Sequence, residues 1–444
     1  MFAKVRATLS EPVDVASLAM LRTVFGLLMC AGLVRLQLTG WVEPLFTAPR
    51  FTFTYQAFAW IPHLPAAWVS GVIWLAAAAA LAFALDLFPR VSGAVFVALF
   101  AWLQLFDVTN YLNHYYLVVL LGALLTVLPT SWRHGQAPRW VLWLVRFQVG
   151  IVYFYAGLAK AGSDWLLHAQ PLSIWFAART ETPLIGPLLA QPWAAYAAAW
   201  FGFLYDLTIV LWLSWRKTRP FAYLVLLVFH TLTFVFFDIG MFPFIMSTAA
   251  LIFFPPDWPR RFLGRWPRSA DSLAAPRPIA APVMALVAAY CAFQLLFPLR
   301  HFVLPGDVLW NEDGMRWSWK VMVREKNGAV TYRVRDPRSG REWQVSPSAY
   351  LLPRQANEMS GQPDLILQLA HHVARDFAAR GVADVEVRVD AWVSLNGRAP
   401  RLLVDPSVDL AKVEDSAWGA AWVMPAPEEP PLPALRSREV TAWR

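Results

Sequence analysis

Cysteine is nearly absent: the chain has two, Cys30 and Cys291, far apart and each inside an apolar run. That excludes a disulfide framework and a thiolate metal centre, and leaves them as small core residues. Charge is scarce too, with Asp, Glu, Lys and Arg at 15% of the chain against roughly 25% in soluble domains. Motifs of other chemistries are missing: there is no Gly-rich phosphate loop, no His-Glu-x-x-His and no Gly-x-Ser-x-Gly. What is plentiful is apolar surface, at 58% of residues where soluble chains have roughly 45–50%.

The apolar residues come in blocks up to about residue 300, and a spanning helix needs about 20 of them. The blocks are 16–36, 67–87, 91–107, 113–130, 139–162, 193–215, 219–237, 240–255 and 279–300, of which 91–107 and 240–255 are short. The expected fold is an all-α, multi-span bundle of eight or nine helices over residues 1–300, an α+β extracytoplasmic domain over 301–424, and a Pro- and Glu-rich disordered tail over 425–444. The first block carries Arg22 and is followed by no small-residue cleavage site, so it reads as a permanent span rather than a signal peptide.

Orientation follows Lys and Arg. With the N-terminus inside, the inner segments hold Lys4, Arg6, Arg90, Arg133, Arg139, Arg216, Lys217, Arg219, Arg260, Arg261, Arg265, Arg268 and Arg277, whereas the outer loops hold little beyond Arg50 and Arg179. An odd number of spans then puts the C-terminal domain outside, in the periplasm of a bacterial cell. The +8 net charge is thereby a topology signal, and nucleic-acid binding needs no invoking. The outer loop 37–66 is rich in aromatics, including Trp41, Phe46, Phe51, Phe53 and Trp60. It reads either as an interfacial belt or as an entry wall for a lipid-soluble ligand.

Ionisable residues inside a membrane are costly and are candidates for function by default. On the fifth span Arg146, Tyr153 and Lys160 recur every seven residues, with Gly150 and Gly157 on nearly the same face. Small and polar residues on one stripe face a bundle interior. Lys160 has two readings. In an apolar pocket a lysine is a usable base; alternatively it snorkels or pairs with Asp164 four residues on. Asn113 and His114 open the fourth span at the same outer level, where Asn113 also reads as a helix N-cap. His230 lies mid-span, as a core histidine or a pocket residue, and Arg22 is expected to form a structural ion pair.

Beyond residue 300, Trp317–Glu325, Ala329–Asp336 and Arg341–Ser346 read as strands. The first two are joined by a hairpin at Asn327-Gly328, the last two by a turn at Pro337–Gly340. Pro363–Arg380 reads as an amphipathic helix, with His371 and His372 solvated. Val385–Leu395 alternates, with Val385, Val387, Val389, Ala391 and Val393 on one face, and Asn396-Gly397 turns it into Arg401–Val404.

In this order the residues resemble the vitamin K-dependent gamma-glutamyl carboxylase family, also described as horizontally transferred transmembrane domain proteins. The resemblance runs over about 10–425. It is carried by Ser17 to Gly26, by Asn113-His114, by Tyr153, Gly157 and Lys160 followed by Asp164-Trp165, and by Ile239 to Pro243. In the soluble part it continues through Ser318-Trp319 and Met322, Trp392, Ser394, Asn396 and Arg398, and Asp405, Pro406 and Asp409. It implies that a reduced vitamin K or menaquinol loses a hydroxyl proton to a lysine and reacts with O2 to give an epoxide through a strongly basic alkoxide. That base then deprotonates a peptidyl glutamate, which takes up CO2. By position the base is Lys160 and the active-site histidine His114. Asn113, Tyr153, His230 and Gly157 fall to the quinone, and Trp392, Asn396 and Arg398 to a glutamate-containing peptide or protein. No metal is implied. The Ala, Pro, Arg and Trp bias points to a bacterial member in the cell inner membrane. Two other readings stand beside it: a quinol epoxidase without carboxylation, and a transporter or lipid-handling protein.

Overall fold

The computed structural model describes residues 2–62, 64–237, 239–263, 278–416 and 419–432. Of the inner basic residues, Arg265, Arg268 and Arg277 lie outside the described residues, as does 433–444 of the expected tail. Among the described residues seven helices are long and apolar enough to cross a membrane. They are α1 (Ala16–Leu38), α2 (Ala66–Ala84), α4 (Asn113–Val127, within the span Asn113–His134), α5 (Arg139–Leu158), α6 (Pro192–Ser214), α7 (Arg219–Phe236) and α9 (Ala281–Leu296, within the span Ala281–Phe302). Two shorter apolar helices, α3 (Pro89–Leu105) and α8 (Phe242–Ala250), fall where the short blocks were read. Prolines open many of these helices, where a missing N–H costs nothing: Pro89, Pro192, Pro220, Pro243 and Pro282 sit at or next to the first helical residue.

The chain forms two compact units. The first comprises Met1–Ala48, Thr54–Phe154 and Leu207–Phe297. In it β1 (Pro12–Asp14) pairs antiparallel with β2 (Gln136–Pro138). Helices α1 and α2 approach closely at Gly26, where an added Cβ would lie 2.8 Å from the Ala80 carbonyl oxygen and 2.9 Å from the Ala84 Cβ. Gly26→Ala is therefore expected to force the two helices apart and lower stability by about 1–3 kcal/mol, read as a drop in the thermal midpoint in detergent. Arg22 is fully buried in α1, stacks on Phe83 and pairs with Asp86, which also accepts from Ser131 Oγ at 2.7 Å. That is the structural ion pair expected of Arg22. Arg146 holds the carbonyls after α8, donating to Ile252 at 2.9 Å, Phe253 at 3.3 Å and Phe254 at 3.2 Å.

The second unit comprises Pro49–Phe53, Tyr155–Asp206 and Pro298–Arg444. Its four-stranded antiparallel sheet has the order β4-β3-β5-β6, from β3 (Lys326–Arg335), β4 (Glu342–Val345), β5 (Glu386–Leu395) and β6 (Arg401–Leu402). Helices α10 (Pro353–Ser360) and α11 (Pro363–Ala379) belong to the same unit. The alternation read in β5 holds: Val387, Val389, Ala391 and Val393 are fully buried, whereas Trp392 on the other face is 50% exposed. Asn396 and Gly397 have φ of 48° and 80°, the geometry of a tight hairpin. At the other hairpin, Gly340 has φ of 71° and its N–H bonds to the Asp336 carbonyl at 2.8 Å.

Three expectations fail here. Trp317–Glu325 is not a strand, because Trp317, Trp319 and Met322 all take positive φ, which no ladder accommodates. Asn327-Gly328 is not a turn but lies inside β3, paired with Ser394 and Val393. Gly328 is needed because a Cβ there would stand 2.6 Å from the Ser360 carbonyl oxygen at the end of α10; glycine in a strand marked a close backbone approach. Nor are the histidines of α11 simply solvated: His371 Nε2 lies 2.9 Å from the Val413 carbonyl, and the His372 ring lies 4.5 Å from that of Phe51. Within the expected tail, the described Glu429 and Leu432 bond to the β5–β6 hairpin, through Arg398 Nε to the Glu429 carbonyl at 2.7 Å and Leu432 N to the Gly397 carbonyl at 3.1 Å.

Burial, followed by the charges of Asp364, Asp415 and Glu312, raises the Asp313 carboxyl to about 6. The unfolded group releases its proton near ~3.9. Between these values the folded state binds more protons, so this group makes the protein more stable as pH falls from neutrality through about 6 toward about 4. Asp313→Asn is expected to flatten that part of the pH dependence of the thermal midpoint.

Candidate functional site

Two histidines of the first unit, His114 and His230, both lie beside the Phe242 ring. His114 is the second residue of α4; its ring lies 4.4 Å from that of Tyr115 and 5.6 Å from that of Phe242. The ring of His230, buried in α7, lies 6.0 Å from that of Phe242. The Tyr153 hydroxyl and His230 Nε2 are 2.8 Å apart. His230 Nδ1 is buried and has no hydrogen-bond partner among the described residues. If Tyr153 donates to Nε2, Nδ1 carries the ring proton and is an unused donor, which costs about 1–3 kcal/mol when nothing meets it. Asn113 is the first residue of α4 rather than its N-cap. The cap position is Leu112, and Asn113 Oδ1 accepts from the Tyr111 hydroxyl at 3.0 Å. Among the described residues no group of three His, Cys, Asp or Glu side chains gathers into a metal site.

Lys160 belongs to the second unit, in the turn that follows α5, and is 5% exposed. Its Nζ donates to Asp206 Oδ2 at 2.8 Å and to the Ala156 carbonyl at 3.0 Å, and lies 5.2 Å from the centroid of the Trp165 ring. Trp165 is itself pinned by its Nε1, which donates to the Ala199 carbonyl at 2.7 Å. Asp206 is also 5% exposed. The pair is thus enclosed between α6, the turn after α5 and one indole face. Gly157 is buried in the last turn of α5, and its carbonyl accepts from Lys160 N at 2.9 Å.

The Asp164 partner considered for Lys160 is engaged elsewhere. Arg398 grips it with two bonds of 2.6 Å, and Asn396 Nδ2 adds a third at 2.9 Å. Burial alone would raise the Asp164 carboxyl, but the hydrogen bonds from Arg398 and Asn396 and the Arg398 charge hold it below its ordinary value. Asn396 is fully buried, and its Oδ1 accepts from Glu325 N at 2.8 Å. Of the three residues assigned to a peptide, Asn396 and Arg398 come together on Asp164, whereas Trp392 projects from the exposed face of β5.

The reading of the residues overlooked Asp206. It is the only acidic residue in 193–215, and the rule that singled out Lys160 applies equally to it. Asp86, the partner of Arg22, was passed over in the same way, although it falls inside the apolar block 67–87 and just after the observed end of α2 at Ala84.

Fold and site together define a multi-pass helical membrane protein that carries an α+β domain and a buried, ion-paired lysine beside the end of a span. Against known families, the chain belongs to the HTTM domain family, whose model matches residues 10–258. Residues 280–429 match the vitamin K-dependent gamma-carboxylase, lumenal domain. The two matches follow one another along the chain and make it carboxylase-like, as its motifs suggested. No solved structure matches the chain.

Proposed function

We propose that this protein is a vitamin K- or menaquinol-dependent gamma-glutamyl carboxylase-like enzyme of a bacterial inner membrane, with Lys160 as the base that takes a proton from the reduced quinone. The observation that carries the reading is a lysine held at 2.8 Å from a buried carboxylate in a chain matched by both carboxylase-type family models. When bound, the reduced quinone supplies with O2 the strong base that allows a peptidyl glutamate to be deprotonated and to take up CO2.

The residues fit such a ring. His230 Nδ1 is a buried polar atom that lacks a partner among the described residues, and its surroundings are aromatic, with Phe242 and Phe229 alongside. His114, Asn113, Tyr153, Gly157 and His230 are assigned to holding the quinone. Tyr153 orients the His230 ring by its 2.8 Å bond, which leaves Nδ1 for a quinone oxygen. Enclosure of Lys160 by Trp165 and Asp206 keeps water from the amine. Trp392, the exposed member of its group, is assigned to the glutamyl peptide. Asn396 and Arg398 then support that surface through Asp164.

The proposed arrangement has residues 1–300 in the membrane, 301–424 in the periplasm and 425–444 as the tail. Basic residues at the inner ends support a cytoplasmic N-terminus. The test is incubation of the purified protein with menaquinol, O2, labelled bicarbonate and a glutamyl peptide. Epoxide and label together are expected. Epoxide without label narrows the activity to quinol epoxidation, and the absence of both rejects the reading.

A further inference from the structure

We propose that Asp206 is a positioning residue that receives, through Lys160, the proton taken from the quinol hydroxyl; this rests on the role proposed for Lys160. The argument starts from charge. Lys160 and Asp206 are each 5% exposed, and their Nζ and Oδ2 atoms lie 2.8 Å apart. A buried ammonium or carboxylate is costly alone and tolerable as a hydrogen-bonded pair, and the proposed resting pair is an ammonium beside a carboxylate. An ammonium has no lone pair and cannot accept a proton. Lys160 becomes a base only as it passes a proton on, and Asp206 Oδ2 is the acceptor within reach. The other bond of Nζ, at 3.0 Å, goes to the Ala156 carbonyl, which takes no proton.

The step balances. One N–H bond of Lys160 breaks and an O–H bond forms on Asp206. The quinol O–H bond breaks and its proton restores the third N–H of Lys160. The electron pair of the broken O–H stays on the quinol oxygen. Lys160 is an ammonium before and after; the negative charge has moved from Asp206 to the quinol oxygen, and no net charge has been created in the membrane. A lysine acting alone would instead leave Asp206 charged, with a second anion forming nearby. Geometry holds the pair for this exchange. Asp206 and Ala199 lie seven residues apart on α6, and Ala199 anchors Trp165 through a 2.7 Å bond while Trp165 covers Lys160 at 5.2 Å. One helix thus sets both the acceptor and the lid over the donor.

The test uses the full chain in detergent, without O2, mixed with a short-chain menaquinol and followed by infrared difference spectroscopy. A carbonyl stretch of a protonated carboxylic acid is expected in the wild type, shifted in Asp206→Glu and missing in Asp206→Asn. With O2, Asp206→Asn should turn over about 10²-fold more slowly, with partial recovery in Asp206→Glu. No such band in the wild type, or its persistence unshifted in the variants, overturns the proposal. So does full turnover by Asp206→Asn while Lys160→Ala is inactive, an outcome that leaves the role of Lys160 intact. Should Asp206→Asn fail to fold, the wild-type band and its shift in Asp206→Glu decide alone. Full turnover by Lys160→Ala rejects the underlying reading instead.

Discussion

Lys160→Ala is expected to lower quinol oxidation by roughly 10²–10⁴-fold, the range in which a positioned general base contributes. The loss should fall on turnover, because the amine acts on the proton and the aromatic surroundings of His230 and Phe242 are left in place. The KM for the quinol should therefore change little. Removing the ammonium also strands Asp206, which is then a buried carboxylate without its partner, and that state is disfavoured. Lys160→Met fills more of the space and serves as a second variant. A measurement of epoxide formation under saturating quinol, with the thermal midpoint of each variant, separates loss of chemistry from loss of fold. Wild-type turnover in both variants would remove Lys160 from the reaction.

Arg398→Ala is expected to destabilise the second unit by about 3 kcal/mol, toward the lower end of the cost of removing one partner from a buried ion pair. The pair is nearly enclosed, with side chains 12% and 14% exposed, and two bonds of 2.6 Å run in parallel. Such a bidentate grip is geometrically specific, so Arg398→Lys should not restore it fully. A double-mutant cycle with Asp164→Ala isolates the coupling. The pH dependence follows from the lowered Asp164 carboxyl. The stabilisation is present above the unfolded carboxylate value of ~3.9 and is lost as pH falls through the lower folded value. If Arg398 instead bound a peptide carboxylate, its loss would raise the KM for peptide and leave the thermal midpoint unchanged.

The spans were legible because membrane burial writes itself as a long apolar run, and even the two short helices stood out. β5 was legible because burial on one face alternates with period two. The strand expected at Trp317–Glu325 failed locally, on positive φ; most other failures share a different physical cause, which is distance along the chain. Asn327-Gly328 carries a turn composition, yet Gly328 answers to Ser360 in another element. The charges were found but not their partners: Lys160 reaches 46 residues to Asp206, and Arg398 reaches 234 to Asp164. Spacing on one helix, which favoured Asp164 for Lys160, says nothing about such pairs. His230 was legible as a costly polar residue, but its bond to Tyr153 required two helices to be brought together.

The short stretch Pro49–Phe53 carries a consequence for how this chain can be divided. It comes from the N-terminal half, yet Gln355 Nε2 donates to the Phe51 carbonyl at 2.9 Å, the Phe51 ring meets His372, and Phe53 is fully buried. With Asp164 it makes the unit around the sheet a patchwork of three segments. A cassette of residues 301–424 transplanted into another protein would arrive without those pieces of its own interior. To close that interior, the cassette would have to travel with residues 49–53 and 164 as well.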